Sequence, residues 1–225
     1  TATTEIYTLS LHDALPIFVL LLFAVFALMP VVTILVTALR PEVVGQGAWN
    51  PQNFVTAWEH GHFATYLRTS ALVSSTVVVV ATVLSVLAGY AFATMSFRGR
   101  EVLFFVFLLG VMVPSEAVVV PLYFNLRDVG LTNTLAALIL PQVAQSVAFG
   151  VFWMRACFSA GQQEIIDSAR LDGAGHWTIL WRVLIPIIKP GVVTLVGLVF
   201  MWTWNEFLLA LVMVTDEGLR TAPLG

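Results

Sequence analysis

Charge is scarce in this chain. Of 225 residues only 10% are charged, against 59% hydrophobic residues and a mean hydropathy of +0.94. A soluble domain carries about 25% charged residues, because its surface faces water. Ten basic and thirteen acidic side chains cannot cover a 24.6 kDa globule, so water is not the main solvent. The same composition excludes intrinsic disorder. A net charge of −3 with no basic run excludes nucleic acid as a partner. Cys157 stands alone, which rules out an intrachain disulfide framework and a cysteine-rich metal site. The sole lysine, Lys189, precedes Pro190, so there is no phosphate-binding G-x-x-x-x-G-K-[ST] loop. The zinc motif H-E-x-x-H is also missing. His60-Gly61-His62 has no acidic or thiol cluster beyond Glu59 and reads as a solvated pair, while His176 beside Trp177 reads as an interfacial packing residue. No catalytic site, metal or cofactor is expected.

What the chain has in quantity is long apolar runs. A bilayer core about 30 Å thick needs roughly 20 apolar residues per spanning helix. Five segments meet this requirement: Phe18–Leu39, Ser70–Met95, Val102–Phe124, Asn133–Met154 and Gly191–Val214, none containing Lys or Arg. They are too long, and alternate too little, for barrel strands. The expected class is all-α, a polytopic helical protein whose first partner is the lipid bilayer. Of the loop cations, Arg98, Arg100, Arg155, Arg170, Arg182 and Lys189 fall on one side, and Arg40, Arg68, Arg127 and Arg220 on the other. That bias places the Arg155–Pro190 stretch in the cytoplasm. Thr1–Ile17, TATTEIYTLSLHDALPI, resembles a translated sequencing adapter along its whole length. It is expected to be non-native, with the natural sequence starting near Phe18.

Ala81, Ser85, Gly89 and Ala93 recur every four residues, a small-residue face that lets membrane helices approach closely. Pro114 and Pro121 are expected to kink or break the third span. Gln142, Gln145 and Ser146 share one face of the fourth span, where they either line a polar cavity or serve as interhelical hydrogen-bond glue. Glu116, just after Pro114, and Glu206, after Asn205, are carboxylates inside spans. A charge at the bilayer centre costs about 2.5–3.5 kcal/mol on insertion scales, so both are expected to face protein or water. With an unbroken fifth helix, Glu206 lies roughly 22 Å from Gly191, toward the outer half of the membrane. These residues are the candidates for a translocation pathway.

Glu164-Ile165-Ile166-Asp167-Ser168-Ala169-Arg170-Leu171-Asp172-Gly173-Ala174 reads as a short helix stopped by glycine, a knob of roughly 16 Å. Val183-Leu184-Ile185-Pro186 and Pro190 then shape the return into the next span. Taken alone, this stretch is also compatible with an amphipathic helix lying on the membrane surface.

Here the residues resemble a known family. Asp167-Ser168-Ala169-x-x-Asp172-Gly173-Ala174, followed by Val183-x-Ile185-Pro186, is similar to the E-A-A-x-x-D-G-A…I-x-L-P loop of ABC importer permeases. Tyr90-Ala91-Phe92-Ala93, Phe97-Arg98-Gly99-Arg100, Pro121-Leu122-Tyr123, Gly130-Leu131-Thr132-Asn133-Thr134 and Trp204-Asn205-Glu206-Phe207 resemble segments of maltose-type carbohydrate permeases. The likeness extends over Phe18–Gly225. Asp167 replaces the motif's Glu, Ser168 its first Ala, and Thr94 stands where the subfamily usually has Arg.

The resemblance implies a multi-pass subunit of the bacterial inner membrane. Five helices would be present of an expected six-helix core, with residues 18–225 forming the permease domain and 159–190 a cytoplasmic coupling loop. It implies a second permease subunit, a dimer of cytoplasmic ABC ATPases that alone hydrolyse ATP, and an extracytoplasmic solute-binding protein. Sugars or oligosaccharides would move by alternating access. Glu164, Asp167, Ser168, Ala169, Asp172, Gly173 and Ala174 would couple to the ATPase, with Ile185, Pro186 and Pro190 forming the return. The alternatives are a permease for another small solute (amino acid, phosphate, sulfonate) and, more remotely, an intramembrane enzyme using Glu206 or a span serine. The topology is open to a direct check. With Cys157 replaced by Ser, a Ser168→Cys reporter should resist an impermeant thiol reagent in intact cells and react once the cells are opened. Labelling in intact cells would reverse the orientation.

Overall fold

The computed structural model describes residues 11–40 and 49–225, and all regular structure among them is helical. The chain forms two compact units, residues 1–61 and 62–225. In the first, α1 (Leu11–Ala38) is a 28-residue helix that runs through Pro16 and Pro30. Of the adapter-like head, residues 1–10 lie outside the described residues, and Leu11–Ile17 form the opening turns of α1. A helix leaves its last carbonyls without partners. Here Asn53, on α2 (Gln52–His60), supplies them: its Nδ2 donates to the carbonyls of Ala38 (2.9 Å) and Arg40 (2.8 Å).

The second unit is built around α6 (Leu135–Ser159). Its neighbours are α3 (Phe63–Thr94), α4 (Arg100–Met112) and α10 (Lys189–Trp204). Ser85 and Gly89 of α3 meet Gly150 and Met154 of α6, so these two helices run parallel. A Cβ added at Gly89 would sit 2.5 Å from the Met154 Cβ and 3.0 Å from the Arg155 nitrogen. Ser85 is wholly buried in the same contact, Ala81 is buried a turn away, and Ala93 at the helix end is half-buried. In a bilayer such contacts are stabilised by close van der Waals packing, since lipid tails are as apolar as leucine. α10 runs antiparallel to α6: Gly191 lies against Cys157, Leu195 approaches Gly150, and the Trp153 Nε1 donates to the Gly191 carbonyl at 2.9 Å.

Two of the expected spans are broken. The third divides into α4 and α5 (Ser115–Asp128), bent by 98°. Pro114 has no N–H to continue the ladder and disfavours helical backbone in the residue before it. Val113 accordingly adopts φ −77°, ψ 120°. Pro121, by contrast, sits inside a continuous α5.

The fifth span is not the unbroken helix expected from Gly191 to Val214. It stops at Trp204 and restarts as α11 (Leu208–Met213). Both the backbone N–H (3.2 Å) and the side-chain Nδ2 (2.7 Å) of Asn205 donate to the Met201 carbonyl, closing the end of α10. Glu206 Oε1 then accepts the Leu209 N–H at 2.8 Å, capping the start of α11. Short polar side chains compete with the helix ladder in this way. Glu206 therefore lies at a helix break, not on a straight helix as the sequence suggested.

Before α10 the chain runs through α7 (Gln163–Leu171), α8 (His176–Thr178), a π-helical turn (Ile179–Leu184) and α9 (Ile185–Ile187). The His176–Ile187 stretch meets α10 at 80°. Pro186 and Pro190, each lacking an N–H, flank that corner. Counting each bent pair as one span, the described residues hold up to five helices able to cross a membrane.

The α3–α6 contact carries a quantitative expectation. Gly89→Ala should lower stability by about 1–3 kcal/mol, the usual cost of overpacking. Gly197→Ala on α10, where no other element among the described residues comes within 4 Å of the new Cβ, should be neutral or raise stability by up to ~1 kcal/mol. Unfolding of the purified protein in detergent measures both. Equal curves for the two variants would contradict the close approach.

Candidate functional site

The breaks at Pro114 and Asn205 open on the same side of α6. Between them lie two half-open cavities of about 370 and 460 Å³ that share Ser115, Gln142, Gln145 and Glu206. Glu116, in the first turn of α5, lines the smaller one. Ser146 and Asn205 line the larger. The structure thus brings together all six residues that the sequence marked as pathway candidates, although they come from three separated segments.

Their local chemistry differs. Gln142, 8% exposed, lines both cavities and donates from Nε2 to the Leu138 carbonyl at 2.9 Å, and its Oε1 has no partner among the described residues. Ser146 is 6% exposed and has no hydrogen-bond partner among the described residues. Gln145 and Glu116 are exposed, and Glu206 is half-buried. Sequence reasoning missed Ser115, Thr203 and the aromatic pair Phe149 and Trp202, which meet edge to face at 4.9 Å on the wall of the larger cavity. Nothing in the sequence separates those aromatics from residues facing lipid or core.

At the other end of α6 lies the loop. α7 ends as the sequence suggested. Gly173 takes φ +81°, its N–H donates to the Arg170 carbonyl, and the Ala174 N–H donates to the Ala169 carbonyl, both at 3.0 Å. This is a Schellman stop, which requires a left-handed residue at the glycine position. Among the described residues, no atom beyond its two chain neighbours lies within 4 Å of a Cβ built there, so the requirement for glycine comes from backbone conformation. Ile166 is 1% exposed and joins the core, with Ala169 and Ala174 packed beside it. Glu164, Asp167 and Asp172 remain on the exposed side. Asp167 Oδ1 accepts from Gln163 Nε2 (3.0 Å) and Arg170 Nη1 (3.4 Å), so its carboxylate is steered by its own helix. Ser168 is exposed beside it. Leu171 is 90% exposed, an apolar side chain at the tip that composition could not single out.

The loop is tied to the helix bundle at several points. Tyr90 Oη and His176 Nδ1 are 3.0 Å apart, and their rings stand edge to face. His176 is exposed but has a specific polar partner on α3. Arg155 bonds Glu101 at 3.2 Å and lies over the Phe104 ring at 3.9 Å. Ile185 packs on the core, Pro186 sits within α9, and Pro190 occupies the first turn of α10. The Ser96–Glu101 and Arg155–Pro190 stretches meet at one end of the unit. The other end is closed by Asn133, whose Oδ1 accepts the N–H groups of Thr215 (3.0 Å) and Asp216 (2.9 Å).

The chain is similar in sequence and fold to known proteins. Residues 81–224 match the family described as binding-protein-dependent transport system inner membrane component. The trehalose transport system permease protein SugB of Mycobacterium tuberculosis is 33% identical over 88% of this chain and 75% of its own length. The diacetylchitobiose uptake system permease protein NgcG of Streptomyces coelicolor is 28% identical over 88% of this chain and 68% of its own. YurM of Bacillus subtilis, named a probable ABC transporter permease, is 34% identical over 79% of this chain, which spans 59% of that relative's length. Among solved structures, a chain of a bacterial ABC transporter involved in the import of the acidic polysaccharide alginate superposes with a TM-score of 0.78. That match covers 95% of this chain and 77% of the other at 24% identity, a likeness of fold. With the polar cleft, the glycine-stopped loop and these matches together, the chain belongs to the family of binding-protein-dependent transport system inner membrane components.

Proposed function

We propose that this chain is one of two permease subunits of an ATP-driven importer for sugars or oligosaccharides, working by alternating access. The observation that carries the proposal is the convergence of Glu116, Gln142, Gln145, Ser146, Asn205 and Glu206 on adjoining cavities within an apolar bundle. Polar groups placed there at a desolvation cost are expected to meet a solute or water. The names of the relatives, which include trehalose and diacetylchitobiose uptake systems, support the sugar class. In this reading residues 18–225 are the permease domain, and the 159–190 loop docks on a dimer of cytoplasmic ATPases. An extracytoplasmic binding protein delivers the solute, and a second permease subunit completes the pathway.

The pathway role is tested in a full-length copy of the chain assembled with its partner subunits. Glu206→Leu should lower uptake about tenfold, equivalent to ~1.4 kcal/mol, the scale of one hydrogen bond to a charged group. Glu206→Gln keeps an oxygen acceptor for the Leu209 N–H and controls for loss of that cap. Uptake unchanged by Glu206→Leu would remove Glu206 from the pathway.

The coupling role rests on where α7 stops. Glu164, Asp167, Ser168 and Asp172 offer polar contacts to an ATPase cleft, and Leu171 offers an apolar one. Gly173→Leu forces a left-handed residue costing about 1–2 kcal/mol. It should leave membrane insertion and pairing intact while abolishing ATPase co-purification and solute-stimulated ATP hydrolysis. Asp167→Ala removes only exposed contacts worth about 0–1 kcal/mol and should give the milder loss. Normal stimulated turnover in Gly173→Leu would instead favour a helix resting on the lipid surface.

A further inference from the structure

We infer that the cleft is a charge filter, admitting neutral and cationic solutes and turning back anionic ones. The inference rests on the pathway reading and adds the chemical class of solute. Glu116 and Glu206 reach the cleft from two different helix breaks, and both line the 370 Å³ cavity. Glu206 also faces the 460 Å³ cavity. Among the described residues neither carboxylate has an ion-pair partner, and no Lys, Arg or His lines either cavity. The one recorded hydrogen bond to these carboxylates comes from a neutral backbone group, the Leu209 N–H.

The neutral lining groups are mixed: the Ser115, Ser146 and Thr203 hydroxyls and the Gln145 and Asn205 amides can donate as well as accept, so the sign of the two carboxylates carries the selection. Gln142, nine-tenths buried, uses one N–H of its Nε2 on the Leu138 carbonyl and keeps an Oε1 without a partner among the described residues. The two carboxylates accept hydrogen bonds and do not donate them. They suit hydroxyl or ammonium groups on a solute. A uronate, phosphate or sulfate group brings further acceptors and a like charge into a low-dielectric cleft, where field lines are focused and repulsion is strong. The Phe149 and Trp202 rings on the wall of the larger cavity add apolar faces that fit the C–H surfaces of an uncharged sugar ring. The fold likeness to a transporter involved in alginate import therefore brings no acidic substrate with it.

The test uses small charged solutes as probes. In a full-length chain assembled with its partners and carrying Cys157→Ser, Gln145→Cys places a thiol on the wall of both cavities. It is reacted with two methanethiosulfonates of similar size, one bearing a trimethylammonium group and one a sulfonate, each rate normalised to that of a free thiol. The cationic probe should react about tenfold faster than the anionic one, the lower end of what a cleft lined by one sign of charge produces. Adding Glu116→Gln and Glu206→Gln should bring the ratio to within about twofold of unity, since the isosteric amides keep shape and remove charge. Ala144→Cys, also on the wall, serves as a second reporter if the first disturbs folding. A ratio near unity with both carboxylates present, or one that survives their removal, overturns the filter. Uptake measured on the labelled transporter separates the two readings. If labelling stops uptake while the ratio is near unity, only the filter fails. If labelling leaves uptake intact, the pathway reading fails, and the filter with it.

Discussion

Inside a bilayer every backbone N–H and C=O must find a partner within the protein, at a cost of several kcal/mol for each one left over. Straight helices meet that demand automatically, whereas a helix break meets it only with side chains or water. The break at Asn205 is closed on both sides by the residues that cause it: Asn205 over the Met201 carbonyl, and Glu206 under the Leu209 N–H. The break at Pro114 arises because proline has no N–H to offer. Both breaks face α6, so the irregular backbone lines a cavity, the setting in which such backbone is tolerated at membrane depth. The polar cleft is thus a consequence of how the chain solves its hydrogen-bond problem.

α6 connects the two regions of interest. Its N-terminal half carries Gln142, Gln145 and Ser146 at the cleft. Its C-terminal half carries Gly150 and Met154 against α3, Trp153 against the Gly191 carbonyl, and Arg155 against Glu101. Ile166 roots the α7 knob in the same core, and the Tyr90–His176 hydrogen bond joins the following segment to α3. A displacement of the knob is resisted by close-packed side chains and directional hydrogen bonds, which respond as a unit because packed interiors deform little.

Much of this was legible in the sequence. Segments of about twenty apolar residues without Lys or Arg can only be membrane helices, whatever they pack against. Gly173 declared the end of α7 because few other residues tolerate φ +81°. Pro114 announced the first break, because the loss of an N–H is local chemistry. The isolated carboxylates Glu116 and Glu206 stood out because a charge in a span is costly wherever the helix points.

The rest was decided by tertiary structure. Asn205 reads as an ordinary polar residue until its side chain is seen on the Met201 carbonyl, so the sequence suggested one helix where there are two. Phe149 and Trp202 have the character of lipid-facing residues until the contact of α6 with α10 puts both on the wall of a cavity. His176 gains its partner from Tyr90, 86 positions earlier. Hydropathy and local backbone chemistry depend on neighbours within a few residues, so the order of residues alone determined the membrane class, the helix stops and the suspect polar groups. Which of those groups face one another depends on contacts between distant segments, and only the packing of α3, α4, α5, α10 and α11 around α6 decided that.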